Sequence, residues 1–302
     1  MDLRNNFSTD TAKKIFGNKT NAEIFLLELQ KKKGFELPFR EITRGKNKGN
    51  TILNLSTNEL WIKIVEFWDF ENGESIIRQL FKKSNKYNSG KDSYRVMNIL
   101  LDEWKKLKLD KISWPFSQGD FDGFVQRVNA EHNSGEAKDK KVKHAAVKYR
   151  RIKEINTVRN DFIETLIFEK NKNILPTLNH RRGVDFFING ISFDQKVAKS
   201  PTNEFKKNYG DNWKEQAMNN PEKVAEYLYK YQDEGRFGAD SRLLVVYLDE
   251  EVSIDKIAKI IEDTDLDNPL EITFEYTHNK GKPTEKNKTY KVNCFIILLS
   301  GN

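Results

Sequence analysis

Apolar positions in the first half of the chain recur at three- and four-residue spacing, which predicts amphipathic helices. Ser8 or Thr9 is placed to cap a short helix that ends near Gly17. Asn21 is placed to cap a second helix through residues 24–29, with Gly34 closing it. Stretches 58–68 and 94–104 carry aromatic and aliphatic residues at helical spacing and are read as core-facing. Residues 131–135, Glu-His-Asn-Ser-Gly, read as a linker. A long helix then runs to about Lys170, with Ile155, Val158, Phe162 and Leu166 along one stripe.

After that helix the period falls to that of strands. Short strands are expected over 174–178, 184–188 and 191–198, and a helix over 213–232 that Pro221 interrupts. The run Leu243 to Leu248 is continuously apolar, as a strand buried on both faces requires. Ser253 is placed to cap a helix over 254–261, and 271–276 with 290–299 reads as a hairpin. The order helix, three strands, helix, strand is an α/β unit. It places a mainly helical region, 1–135, ahead of a second region, 136–302.

Composition narrows the classes. The chain of 302 residues has 52 Lys and Arg against 45 Asp and Glu, a net charge of +7, and both signs are interspersed. A positive excess favours phosphate-bearing partners. Cys294 is the only cysteine, which excludes an intrachain disulfide and a cysteine-cluster zinc site, and points to a reducing, cytoplasmic setting. No apolar run approaches a membrane span, and the first residues lack the apolar segment of a signal peptide. Between residues 135 and 153 eight Lys and Arg face only Glu136 and Asp139, and the loop Arg44-Gly45-Lys46-Asn47-Lys48-Gly49 is likewise basic. Both stretches suit phosphate contact, and a solvated charged surface is the alternative for each.

The candidate chemistry lies at 181–197. Asn189-Gly190 is the preferred pair for a two-residue type I′ hairpin turn. That turn pairs Ile188 with Ile191, Phe186 with Phe193 and Asp185 with Asp194. One face is then apolar; the other carries Asp185, Asp194 and Lys196. Opposed β-carbons lie about 4.5–5.5 Å apart, and like charges there are destabilising. A divalent cation would compensate two such carboxylates, and oxygen-only ligands point to Mg²⁺, or Mn²⁺, rather than zinc. The backbone carbonyl of Gln195 is a third candidate ligand. Lys196 is placed to orient an attacking water or to stabilise charge developing on a phosphoryl group. An acidic residue two before a lysine recurs by chance in so charged a chain. The alternative is therefore a surface hairpin with a polar outer face.

These residues resemble the PD-(D/E)xK nuclease superfamily, the restriction-endonuclease-like fold. Asp185 matches its first acidic position, Asp194 the second and Lys196 the lysine, with Val184 standing where the motif often has proline. The resemblance spans about residues 146–250. It implies a core of helix, three-stranded meander, helix and strand, and Mg²⁺-dependent hydrolysis of DNA phosphodiesters to 5′-phosphate ends. Many members add a glutamate from the preceding helix, for which Glu164 and Glu154 both stand open. Arg181 and Arg182, just before the catalytic strand, are candidates to grip the flanking phosphates, a solvated turn being the alternative.

The resulting expectation is a type II restriction endonuclease acting on double-stranded DNA as a twofold homodimer, free of the membrane. Two alternatives stand beside it: a structure-directed or repair nuclease of the same fold, and a noncatalytic DNA-binding protein on that scaffold.

Overall fold

A computed structural model of the chain describes residues 3–106, 118–178, 183–231, 239–249, 252–279 and 281–301. Helix α1 (Thr9–Phe16) starts where the Ser8 hydroxyl accepts the Thr11 N–H and stops at Gly17, whose φ of 68° is left-handed. Helix α2 (Lys19–Lys33) is capped by Asn18 rather than by the expected Asn21. The Asn18 side chain accepts the Asn21 N–H at 2.9 Å. Asn21 thus sits inside the first turn, and its amide instead donates to the carbonyls of Phe16 and Leu178. A two-stranded ribbon, β1 (Phe39–Glu41) with β2 (Thr51–Leu53), which the sequence did not reveal, flanks the expected basic loop at residues 44–49. Helices α3 (Thr57–Phe67), α4 (Phe70–Lys82), α5 (Asn85–Lys106) and α6 (Gln118–Ala130) complete the first region. A capping box of Ser56 and Glu59 opens α3.

Helix α7 (Gly135–Lys170) has 36 residues, about 54 Å at 1.5 Å each. Ser134, read above as linker, is its N-cap. Helix α5 crosses α7 so closely at Gly90 that an added Cβ would lie 1.8 Å from Thr165 Oγ1 and 2.7 Å from the Asp161 carbonyl.

Six strands follow in one mixed sheet: β3 (Ile174–Pro176), β4 (Phe186–Ile188), β5 (Ile191–Ala198), β6 (Arg242–Tyr247), β7 (Leu270–His278) and β8 (Lys286–Leu299). Their spatial order is β3-β4-β5-β6-β8-β7. The first three form an antiparallel meander, β6 lies parallel to β5 and to β8, and β7 closes the far edge antiparallel to β8. Between β5 and β6 run α8 (Asn203–Tyr209), which the periodicity did not reveal, then α9 (Trp213–Asn219) and α10 (Pro221–Tyr231), broken at Pro221 as expected. Helix α11 (Ile254–Asp263) follows β6.

Strand β6 is buried along its whole length, as its composition demands. Leu243 and Val245 join Phe295 and Ile297 in a core that includes Ile163 and Ile167 of α7 and Ile257 of α11. Leu244 and Val246 face the other way, into a second core with Phe205, Val224 and Leu228. The first core is continuous with Phe16, Phe25 and Ile77 of the N-terminal helices. Hydrogen bonds tie the same junction: Leu178 N–H donates to the Ile15 carbonyl at 2.7 Å, and Arg78 donates to the Ile174 carbonyl at 2.5 Å. The N-terminal helices therefore buttress the β3 edge of the sheet. Among the described residues, no helix is long and apolar enough to cross a membrane.

Candidate active site

Asn189 and Gly190 both have positive φ, 47° and 81°, as a type I′ turn requires. The turn sets the expected register, pairing Ile188 with Ile191 and Phe186 with Phe193. Phe186, Ile188 and Phe193 are buried on the apolar face, and Phe193 packs against Phe295 at 5.0 Å.

Regular pairing ends at Phe186 and Phe193, so Asp185 and Asp194 are not the next rung of the ladder that the register predicted. The Asp185 N–H bonds the Phe193 carbonyl at 2.9 Å, and its carboxylate Oδ2 accepts the Gln195 N–H at 2.8 Å. The Asp194 N–H points the other way, to the Ser241 carbonyl at 3.1 Å. Like charges directly opposed on a sheet repel. Regular pairing stops one residue short of that opposition; Asp185 keeps its backbone bond to β5, and its carboxylate gains a backbone donor.

Asp194 is 7% exposed, and so is Arg242, its partner in the parallel register of β5 and β6. Arg242 Nη1 lies 3.7 Å from Asp194 Oδ2. Lys196 Nζ lies 2.8 Å from both carboxylate oxygens of Asp194 while its own side chain stays 42% exposed. A buried carboxylate requires compensation. Here two cations provide it, so charge balance at Asp194 does not itself demand a metal ion. Arg242 was missed in the sequence. Its signal was a lone charge opening an apolar run that must be buried on both faces, because such a charge needs a partner.

The backbone of Gln195 faces β4. Alternate residues of a strand address the same neighbour. With Asp194 turned to β6, Gln195 directs its backbone toward β4, where its N–H meets Asp185 and β4 has already ended. The Asp185 carboxylate thus lies against the backbone next to Asp194. Among the described residues, no three His, Cys, Asp or Glu side chains group to hold a metal ion. The oxygen set here has only two such side chains, and its hard donors suit Mg²⁺.

The two candidate glutamates separate clearly. Glu154 is solvent-facing and paired with Arg150 at 3.0 Å and Arg151 at 3.7 Å. Glu164 is buried among Ile163, Thr165 and Ile167. Arg159 of α7 stacks over Tyr247 at the C-terminal end of β6, while Lys170 pairs with Glu262 at 2.6 Å. The helix therefore runs back along the sheet, and Glu164 sits about 7.5 Å past Arg159 along its axis. A cleft of about 420 Å³ opens beside the strand ends, lined by Lys14, Gly183, Val184, Ser192 and Asp240. Arg181 and Arg182 lie outside the described residues.

No family model, no curated protein and no solved structure matches this chain.

Proposed function

We propose that the chain is a Mg²⁺-dependent endonuclease of the restriction-endonuclease-like fold, cutting double-stranded DNA at specific sites in the manner of a type II restriction enzyme. The observation that carries this reading is the join between the two acidic strands. The Asp185 carboxylate accepts the backbone N–H of Gln195, the residue between Asp194 and Lys196, and Lys196 pairs with Asp194, which supports reading the three as one site. The surrounding order supports it: a long helix, an antiparallel meander, helices, and a strand parallel to the third.

In this reading Asp185, Asp194 and the Gln195 carbonyl hold the cation, and Glu164 is the candidate to complete the set. When bound, Mg²⁺ supplies Lewis-acid stabilisation of charge on the phosphoryl oxygens. Lys196, half in solvent, orients the attacking water or donates to the phosphate as negative charge builds there. Arg242 holds Asp194 in place from β6 whatever Lys196 is doing. Arg181 and Arg182 contact the flanking phosphates, and a twofold homodimer presents two such sites to the two strands.

A noncatalytic DNA-binding scaffold is the second reading, favoured by the fact that Lys196 and Arg242 already balance Asp194. Incubating the protein with unmethylated plasmid and phage DNA, in Mg²⁺ and in EDTA, separates the readings. Discrete fragments only with Mg²⁺ support the restriction enzyme, and a metal-dependent smear supports a nonspecific or structure-directed nuclease. DNA that is bound but intact supports the scaffold.

A further inference from the structure

The β1–β2 ribbon has no part in the site described above, and it carries a cluster of cations. Several lysines of the helices on either side of it in the chain are paired: Lys19 with Glu23, Lys31 with Glu28, and Lys63 with Glu66. Arg40, Arg44, Lys46 and Lys48 have no ion pair, side-chain hydrogen bond or ring contact among the described residues, and all four are exposed. No acidic residue lies between Glu41 and Glu59, so the tip that holds Arg44, Lys46 and Lys48 has only positive charge.

The ribbon is nevertheless built, not slack. Its root is fixed in the first core by Leu37, Leu53 and Leu55, and the Asn54 N–H donates to the Pro38 carbonyl at 2.8 Å. Its tip is closed by Ile42 N–H to the Asn50 carbonyl at 2.8 Å and Gly49 N–H to the Ile42 carbonyl at 2.9 Å. Gly45 and Gly49 turn the tip with φ of 86° and 90°, a conformation strained for other residues. Arg40 and Ile52 are cross-strand partners and share a face, on which Ile52 is 37% exposed; Phe39, at 46%, is exposed on the opposite face. A two-stranded ribbon is marginal alone; this one is anchored at its root in the core and carries an exposed basic tip with no ion pair among the described residues.

We infer that the β1–β2 ribbon is a DNA-binding arm, with Arg44, Lys46 and Lys48 at its tip contacting duplex phosphates and Arg40 with Ile52 forming the face laid toward the groove. The duplex major groove admits a two-stranded ribbon of this kind, and an apolar side chain beside a cation suits base edges bordered by phosphates. Charge complementarity selects a polyanion as the occupant. The choice of duplex DNA rests on the function proposed above.

The test compares wild type with the triple variant Arg44→Gln, Lys46→Gln, Lys48→Gln, measuring affinity for duplex DNA in EDTA across a range of salt. Loss of three phosphate contacts lowers the slope of log K against log salt by about 3 and weakens binding near 0.1 M salt by roughly two orders of magnitude. Because the three side chains are exposed and unpaired, the variant keeps the wild-type melting temperature. An unchanged slope and affinity in a folded variant, while wild type binds and cuts DNA, would overturn the arm and leave the nuclease reading standing. Wild type that neither binds nor cuts DNA would instead remove the nuclease reading itself. Tighter binding to duplex RNA than to DNA would overturn the choice of ligand. A Gly45→Val change, which strains the turn but keeps every charge, should weaken binding with a smaller change of slope.

Discussion

Asp194 and Arg242 occupy the same rung of the parallel β5–β6 ladder, both almost fully buried, with Nη1 and Oδ2 3.7 Å apart. The pair holds one candidate metal ligand in place from a strand that contributes none of the site residues predicted from the sequence. Removing one member of a buried ion pair costs about 3–5 kcal/mol when the other is left alone. Lys196 still accompanies Asp194, so Arg242→Leu should cost less, roughly 2–3 kcal/mol. Urea unfolding of the variant checks this. A loss below 0.5 kcal/mol, about the size of an ordinary surface change, would show that the pair does not hold the strand end.

Asp185 serves two roles that substitution can separate. Asp185→Ala leaves the Gln195 N–H without its acceptor and should cost about 1–3 kcal/mol as well as abolishing cleavage. Asp185→Asn can still offer an oxygen to that N–H, so it should keep stability within about 1 kcal/mol while cleavage is lost. Thermal unfolding and a plasmid nicking assay on both variants read the two effects independently. Equal destabilisation by Ala and Asn would mean that the backbone bond contributes little.

Gly90 tests how the helical region is held to the sheet region. A methyl group there would collide with Thr165 Oγ1 and with the Asp161 backbone. Helix α5 must then move off α7, and Gly90→Ala should destabilise the protein by at least about 2 kcal/mol. A variant as stable as wild type would contradict the close crossing.

Cys294 is fully buried in β8, and burial pushes its thiol up to about 12. A thiol so rarely ionised is a poor nucleophile. It should fail to react with a thiol reagent at pH 8 until denaturant is added. Rapid labelling of native protein would place the residue at an opening of the sheet rather than in its core.

Asp249 ties the chain end to the sheet. It bonds Lys214, accepts the Gly301 N–H at 2.8 Å and accepts the Ser300 hydroxyl at 3.1 Å. The hydrogen bond from Lys214, then that from Gly301, hold its carboxyl below the usual 3.8. A depressed folded value contributes stability that is present above about pH 5 and lost as pH falls through that value. Asp249→Asn should therefore be less stable than wild type at pH 7, with the difference narrowing toward pH 3. A gap that widens on acidification would reverse the sign of this contribution.

Much of this was legible in the residues. Asn189-Gly190 specifies a turn whose geometry leaves one register, and that register alone sorts Phe186 and Phe193 to the core. The all-apolar run after Arg242 could only be a central strand. What escaped the sequence was decided by contacts between distant segments. Asn18 and Asn21 are equally good caps in isolation, and the carbonyls of Phe16 and Leu178 decide how Asn21 is used. The break in register after Phe186 and Phe193, and the burial of Arg242 against Asp194, depend on how β4, β5 and β6 meet. Glu154 and Glu164 were equivalent by spacing; only the packing of α7 exposes one and buries the other.

The central claim is that Asp185, Asp194 and Lys196 form a metal-dependent hydrolytic site for DNA. Single-turnover cleavage of one DNA by wild type, Asp194→Asn and Lys196→Gln, purified alike and assayed in the same Mg²⁺ buffer, tests it most directly. The account predicts discrete fragments with 5′-phosphate ends from wild type, and rates at least about 100-fold lower from both variants, each of which keeps its fold. Fragments produced at the wild-type rate by Asp194→Asn, or intact DNA with folded wild type, would contradict it.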